Sequence, residues 1–597
     1  MSVEPTGVPA AGSPAALAFG ASVAGAAVVE LGRAGAVSTM RGAFLNCSVR
    51  VAEPTLGTAT DSRVNAVSAE QDRRAARLAR GGNPPKRAGG ILFAPLLDSA
   101  VVASAGHSGR MSSTTAPDSR EHKRTFFGQP FELSTPFAVE LWERFSFYGM
   151  QGIVLLYMYY TASQGGLGIS EGIATGIMGA YGGAVYLFTI AGAWVADRLA
   201  GADRTLFGSA IVVMAGHVAL ALVPGVAGVG IGLVLIALGS GGLKATATTI
   251  VGGLYSRDDP RRDAGFSLYY LGVNLGAFAG PLLTGLLQST LGFHFGFGLA
   301  AIGMAAGLVQ YAIRRPKLPD AVRHVTNPVD RRRLPLLGGI VAVVLVLVVV
   351  SVLTGLLTVR NLPTVVVAVV VVATIAYFVV ILSSGLTADE RSRVVAFIPL
   401  FIASAVFWSL YQQQFTVVTV YSDQRLDRSF FDWTMPVSWI QSINPVFIIV
   451  LSGVFAAMWT KLGARQPSTP TKFALGTGIM GIAFLLFLPF VGTGENGTPL
   501  VALVAILLVF TLAELLLSPV GQSVATKLAP PKFQTQMVAL FFLSVSLGTA
   551  VTGVLSAYYD PTDEAPYFTV LGLVAVVVGV VLLLLAKPVL KAMRGIR

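Results

Sequence analysis

The 597-residue chain is 54% hydrophobic and only 12% charged, with a mean hydropathy of +0.71, where soluble domains carry about 25% charged residues. A chain this long and this apolar is a polytopic membrane protein, so its net charge of +12 is read as basic loops facing the cytoplasm and calls for no nucleic-acid partner. The single cysteine, Cys47, allows no internal disulfide, and the five histidines are scattered without metal-ligand spacing.

Residues 1–130 differ from the rest. They are rich in Ala, Gly, Ser and Arg, poor in aromatics, and hold no run of the roughly 18 apolar residues that a spanning helix needs. "ALAFGASVAGAAVVELG" lacks a preceding basic segment and so makes a poor signal peptide. Two readings stand for this segment: a disordered extension, or translation that begins at Met111.

From Phe137 onward, apolar runs alternate with short polar loops. Helices are expected near 137–161, 173–196, 205–226, 229–253, 264–288 and 295–314. A basic loop follows, then two valine-rich helices near 335–359 and 363–384. Six more are expected near 394–421, 436–461, 470–492, 499–523, 534–558 and 566–586. This gives an all-α membrane protein with 14 transmembrane helices. Its domains are a six-helix bundle over 131–314, the loop and inserted helices over 315–393, and a second bundle over 394–597. The inserted pair holds almost no polar residues and is expected to face lipid.

Basic residues sit in alternate loops, among them Arg198, Arg204, Arg257, Arg261, Arg262, Arg391, Arg393, Lys461, Arg465, Lys527 and Lys532. The opposite loops hold only Arg360, Arg425 and Arg428. This bias places both termini in the cytoplasm, which an even helix number requires.

The two halves repeat. "SLYYLGVNLGAFAGPLLTG" from Ser267 aligns without gaps to "ALFFLSVSLGTAVTGVLSA" from Ala539, pairing Tyr269 and Tyr270 with Phe541 and Phe542, and Gly276 with Gly548. Two six-helix halves with a site between them are the plan of major facilitator transporters.

Few ionisable residues lie deep in the apolar runs, and an intramembrane charge is a functional hypothesis by default. Glu140 and Arg144 stand four apart on one face of the first helix, with Glu143 beside them and Phe147, Tyr148 and Gln151 extending that face. The plain alternative is a salt bridge that locks two helices. The functional reading is a proton switch, in which Arg144 exchanges its carboxylate partner for a substrate carboxylate. Lys244 precedes Asn274 by thirty residues, and Glu514 precedes Ser546, the repeat mate of Asn274, by thirty-two. A cation and an anion at matching depth suit a short zwitterion. Snorkelling of Lys244 to the interface is the competing reading. At the end of the second helix, in "GAWVADRLAGADR", Asp197, Arg198 and Arg204 are expected to pair across the loop as a gate that holds an outward-facing state, and the stretch resembles the signature loop of the major facilitator superfamily.

Together these segments resemble the proton-dependent oligopeptide transporter family. "ELWERFSFYG" resembles its ExxERFxYY motif, "FSLYYLGVNLGAF" its fifth-helix motif, "FWSLYQQ" its FWxxxEQ and "ELLLSPVG" its ELxxSPxG, with "WIQSINPVF" adding Asn444. The resemblance covers about residues 125–597. It implies a transporter, not an enzyme, that imports di- and tripeptides with protons by alternating access. The protein would work as a monomer in the bacterial inner membrane, with no cofactor and protons as the coupling ion. It implies Arg144, Lys244 and Tyr148 near the peptide carboxylate, and Glu514, Asn444 and Asn274 near its amine and backbone. Tyr186, Trp408 and Phe541 would line side-chain pockets, Ser518 belongs to the tenth-helix motif, and Glu140, Glu143, Arg144 and Glu514 would serve proton coupling.

Three positions depart from the pattern. Phe147 replaces a tyrosine, Gln151 an arginine often found there, and Gln412 the glutamate of FWxxxEQ. The last two are a matched loss, which strands no lone charge. They are expected to form a neutral amide pair in place of an outer-gate salt bridge. A second reading is therefore a transporter of the same fold for a modified peptide, a peptide-like drug or an anion, with weak coupling. A membrane receptor or enzyme is a third, with no nucleophile, base and metal set to support it.

Overall fold

A computed structural model describes residues 125–256, 259–325 and 327–596. The extension up to residue 124, with its alternative start at Met111, lies outside the described residues, as does Arg257. The boundary expected at 130 is corrected. Thr125–Phe126 pairs antiparallel with Gln129–Pro130, across a turn in which Phe127 and Gly128 both have positive φ, the geometry of a tight hairpin.

Fourteen long helices follow. They are α1 Ser134–Tyr159, α2 Glu171–Val195, α3 Ala202–Leu222, α4 Gly225–Gly253, α5 Arg262–Leu291 and α6 Phe293–Arg314; α7 Leu334–Leu353 and α8 Leu362–Leu382; then α9 Ala388–Tyr411, α10 Ile443–Leu462, α11 Thr469–Leu485, α12 Leu500–Leu528, α13 Gln534–Leu555 and α14 Ala565–Leu584. Thirteen are long and apolar enough to cross a membrane. The exception is α1. At 26 residues it is about 39 Å long, enough to span, but Glu140, Glu143 and Arg144 lower its hydropathy. The expected count of fourteen agrees with these helices.

The second bundle starts at Ala388, not 394, because Thr387 caps α9. Its hydroxyl accepts from the Glu390 backbone N–H while the Glu390 carboxylate accepts from the Thr387 backbone N–H, a capping box that satisfies two otherwise orphan donors. The helix expected to run to 421 breaks at 412–415 into a 3-10 turn, and resumes as a short helix Val417–Gln424. A 3-10 turn, Val437–Ser442, precedes α10.

The repeat is visible in the packing. A side chain at Gly276 on α5 would run into Leu141 and Arg144 of α1. One at Gly548 on α13 would run into Ala405 and Trp408 of α9. Each half thus seats its fifth helix against its first at a matching glycine.

The halves meet on the distal side, where α1 ends and α2 begins. Ser546 on α13 donates to the Gly183 carbonyl at 2.7 Å. Around Pro281, carbonyls of α5 accept from the other half: Phe278 from Ser442 at 2.8 Å, Pro281 from Ser438 and Leu282 from Trp439 at 3.0 Å. Polar groups in a bilayer must be satisfied within the protein, so these bonds fix the seam in register. Among the described residues, no hydrogen bond or ion pair joins the proximal ends of the two halves. At the distal seam a side chain at Gly179 would run into the backbone of Gly553. Overpacking of this kind costs about 1–3 kcal/mol. Gly179→Val is therefore expected to lower the thermal melting point of the purified protein, and an unchanged melt would contradict the close approach.

The inserted helices differ from each other. α7 buries no residue, as expected of a lipid-facing helix. α8 buries Pro363, Val370, Thr374 and Ile381, and it packs on both α2 and α13. Pro363 sits over Gly176 beside Gly553. So α8 lies across the seam between the two halves rather than wholly apart from it.

Candidate functional site

The first cluster is built on α1. Glu140 and Arg144 are one helical turn apart and share a face. Arg144 Nη2 lies 2.6 Å from Glu140 Oε1, and Arg144 Nε donates to the same oxygen at 2.7 Å. Arg144 Nε also lies 3.3 Å from Glu143 Oε2. On α4, Ser240 donates to Glu143 Oε1 at 3.3 Å. All three charged side chains are buried. Glu140 Oε2 has no hydrogen-bond partner, and Glu143 Oε2 has only the long ion-pair contact to Arg144.

Arg144 is thus engaged by two carboxylates. Lys244 is not. Its ammonium lies 4.7 Å from the ring centres of both Phe147 and Tyr186, a cation–π sandwich that holds a charge without neutralising it. Phe147 supplies one wall, so the lost tyrosine hydroxyl leaves the aromatic face in place. Lys244 lies within electrostatic reach of Arg144, Glu143 and Glu140. It stays in the protein interior and does not snorkel.

The second cluster is built on α12. Glu514 Oε2 accepts from the Tyr411 hydroxyl at 2.8 Å and from Asn444 Nδ2 at 3.3 Å. Asn444 is oriented by Thr511 Oγ1 at 3.0 Å, and Tyr411 also donates to Asn444 Oδ1 at 3.2 Å. Every partner is neutral, and no cation of the described residues pairs with Glu514. Tyr148 and Tyr186 lie within electrostatic reach of both Arg144 and Glu514, and Tyr148 approaches Phe415 of the other half at 5.9 Å. The two clusters therefore share one central region, with cations on one half and an anion on the other.

The remaining expected residues fall as follows. Trp408 is buried with its Nε1 donor unpaired, against Phe407 and Tyr411. Phe541 is buried, its ring over Gly521 of α12. Ser518 lies one turn after Glu514 and is half-buried. Asn274 is not drawn to the Glu514 cluster. It donates to the Tyr270 carbonyl of its own helix at 2.9 Å, the local bonding typical of Asn within a helix.

Neither of the two expected gate contacts forms in this conformation. No hydrogen bond joins Gln151 to Gln412 among the described residues, and Gln151 Oε1 is buried without a partner. Nor do Asp197, Arg198 and Arg204 pair; both arginines are exposed. The ion pair at this end is Asp203–Arg315 at 2.6 Å, with the Tyr311 hydroxyl donating to Asp203 at 2.9 Å. Asp203 is buried because Arg315 arrives from the far end of α6, a partner that spacing within the loop does not reveal. Sequence reasoning also missed Ser240 and Tyr411. Each had a signal: Ser240 lies four before Lys244, and Tyr411 three after Trp408, hence on the same helix faces.

Comparison with known proteins fits this arrangement. The model of the POT family matches residues 203–571. The chain is 40% identical to a di-/tripeptide transporter of Lactococcus lactis subsp. cremoris over 492 residues, covering 80% of this chain and 99% of the relative. It is 40% identical over 479 residues to the uncharacterized transporter YclF of Bacillus subtilis, covering 79% and 97%. A mutant of a peptide transporter POT, solved in complex with alafosfalin, superimposes with a TM-score of 0.76 at 44% identity, covering 79% of this chain and 98% of that one. With relatives matched over nearly their full length and the two-half helical plan shared, the chain is a multi-pass membrane transporter, not an enzyme, and belongs to the POT family.

Proposed function

We propose that this protein imports di- and tripeptides with protons, by alternating access, as a monomer in the bacterial inner membrane. The observation that carries the reading is a pair of side chains without a direct ion-pair partner among the described residues: Lys244 between two rings, and Glu514 among neutral donors. A short peptide is a zwitterion whose carboxylate and ammonium complement this pair. Its length is limited by the span between the two clusters. Peptide substrates of the Lactococcus relative support the same class.

Both termini face the cytoplasm in this reading. The proximal loops carry the basic residues, and of the three distal arginines, Arg425 pairs with Glu564 and Arg428 with Asp423. A distal seam held by hydrogen bonds then corresponds to a state closed to the outside. Glu140 and Glu143 are the coupling groups. Both compete for Arg144, and a peptide carboxylate that drew Arg144 away would leave them to take up protons. No cofactor, metal or nucleic acid enters this scheme.

Gln151 and Gln412 favour a second reading, a carrier of the same fold that takes a modified peptide, a drug-like analogue or an anion with weak coupling. One experiment separates the two: uptake of labelled dialanine into proteoliposomes with and without an inward proton gradient. Uphill accumulation only with the gradient is the expected result. Equilibration without accumulation would make the protein a facilitator. No uptake by folded protein would leave the second reading.

A further inference from the structure

The outer gate of this chain needs a new location. The amides at 151 and 412 are not bonded to each other. Eight residues further along α1, about 12 Å at 1.5 Å per residue, the structure holds a stronger contact. Tyr159 ends α1 and Tyr160 caps it. The Tyr159 hydroxyl donates to Asp423 Oδ2 at 2.7 Å, and the Tyr160 hydroxyl donates to Asp423 Oδ1 at 2.8 Å. Asp423 belongs to the second half, in the short helix after the 3-10 break. Its neighbour Gln424 reaches the same way, donating to Glu171 Oε1 at the start of α2 at 2.6 Å. Two successive residues of one half therefore grip both ends of the loop between α1 and α2.

Asp423 is also tied on its own side. Arg428 Nη2 lies 3.2 Å from Asp423 Oδ1 and donates to the Asp423 carbonyl, while Arg428 Nη1 donates to the Met435 carbonyl at 2.9 Å. The Asp423 side chain is 14% exposed. A carboxylate shielded from water, accepting two hydroxyls and a guanidinium, makes hydrogen bonds stronger than neutral ones. A tyrosine pair can release such a bond to water without stranding a charge, which suits a contact that must break and re-form in each cycle.

We infer that Asp423 is the acceptor hub of the outer gate, that Tyr159 and Tyr160 are the donors that close it, and that Gln424–Glu171 is its second strap. Arg428 positions the carboxylate. This inference rests on the alternating-access reading above and assigns its gate to residues outside the family motifs.

The test measures the gate itself. In full-length protein with Cys47→Ser, spin labels are placed at Ala162→Cys and Phe431→Cys, on exposed distal loops of the two halves. The parent is expected to show a dominant short distance. Asp423→Ala and Asp423→Asn are expected to populate a longer distance, with the closed-to-open ratio falling roughly tenfold. Tyr159→Phe with Tyr160→Phe, a change that keeps both rings, is expected to do the same. Asp427→Asn, which changes a carboxylate that bonds only Ser429 in the same loop, is expected to leave the distances alone. Unchanged distances in Asp423→Ala would overturn the assignment, as would an equal shift in Asp427→Asn. Unchanged distances in the tyrosine variant would remove the tyrosines from the gate. Dialanine counterflow by the parent is run alongside. Its failure would count against the peptide reading while the distances still report on the gate.

Discussion

Glu514→Gln is expected to weaken dialanine binding about thirtyfold or more, and to stop measurable uptake at substrate levels that saturate the parent. The change is almost isosteric. A glutamine carbonyl oxygen can still accept from Tyr411 and Asn444, so the cage that orients position 514 survives and the fold is not at risk. Only the charge is lost. Removing one partner of a buried, hydrogen-bonded charge pair costs about 2–5 kcal/mol, partly because the other charge is left without compensation, and 1.4 kcal/mol is tenfold in affinity.

The sharper form of this prediction is a cycle. N-acetyl-dialanine has no ammonium, so the parent should bind it as weakly as Glu514→Gln binds dialanine. The variant should bind both about equally, because the interaction has already been removed from one side. Lys244→Ala gives the mirror result with dialanine amide, which lacks the carboxylate. Binding is read by competition with a labelled peptide on purified protein. Tight dialanine binding by folded Glu514→Gln would mean that the substrate ammonium lies elsewhere, and the zwitterion model would fall.

The sequence carried much of this site because intramembrane charges are rare enough to be conspicuous. Glu140, Arg144, Lys244 and Glu514 stand out against apolar runs, and helix spacing alone puts the first two in contact. The helix count was legible for the same reason, since spans are long and loops short. What spacing does not carry is any pairing between distant segments. Asp203 meets Arg315 across 112 residues, and Asp423 meets Tyr159 across 264. Neither aspartate stands out by spacing, while Asp197, Arg198 and Arg204 are expected to pair because their loop resembles a superfamily motif. Asn274 is a different case. A motif position was carried over by resemblance, but in this conformation its side chain has a nearer acceptor in its own helix. The break after Tyr411 falls on the polar run Gln412–Gln414, and the apolar residues on either side of it read as one continuous helix.

Arg144→Ala is expected to be the most damaging single change to the fold. Arg144 is the only cation in direct contact with Glu140 and Glu143 among the described residues, and Glu140 already has one oxygen without a partner. Without the guanidinium, two like charges lie next to each other in a buried site. Breaking a buried ion pair from one side costs about 3–5 kcal/mol, and the repulsion between the glutamates adds to that. The variant should show a markedly lower melting temperature in detergent and poor recovery from membranes. The triple change Glu140→Gln, Glu143→Gln and Arg144→Met removes every charge together, and a fully neutralised buried cluster is often no less stable than the original. Its melting temperature should return close to that of the parent, while gradient-driven accumulation of dialanine stays absent. That split decides between the two readings of the cluster. If the triple variant regains both stability and uphill transport, the three charges are a lock between helices and coupling lies elsewhere. If it regains stability alone, the destabilising charges on α1 are there for transport, because the fold does not need them.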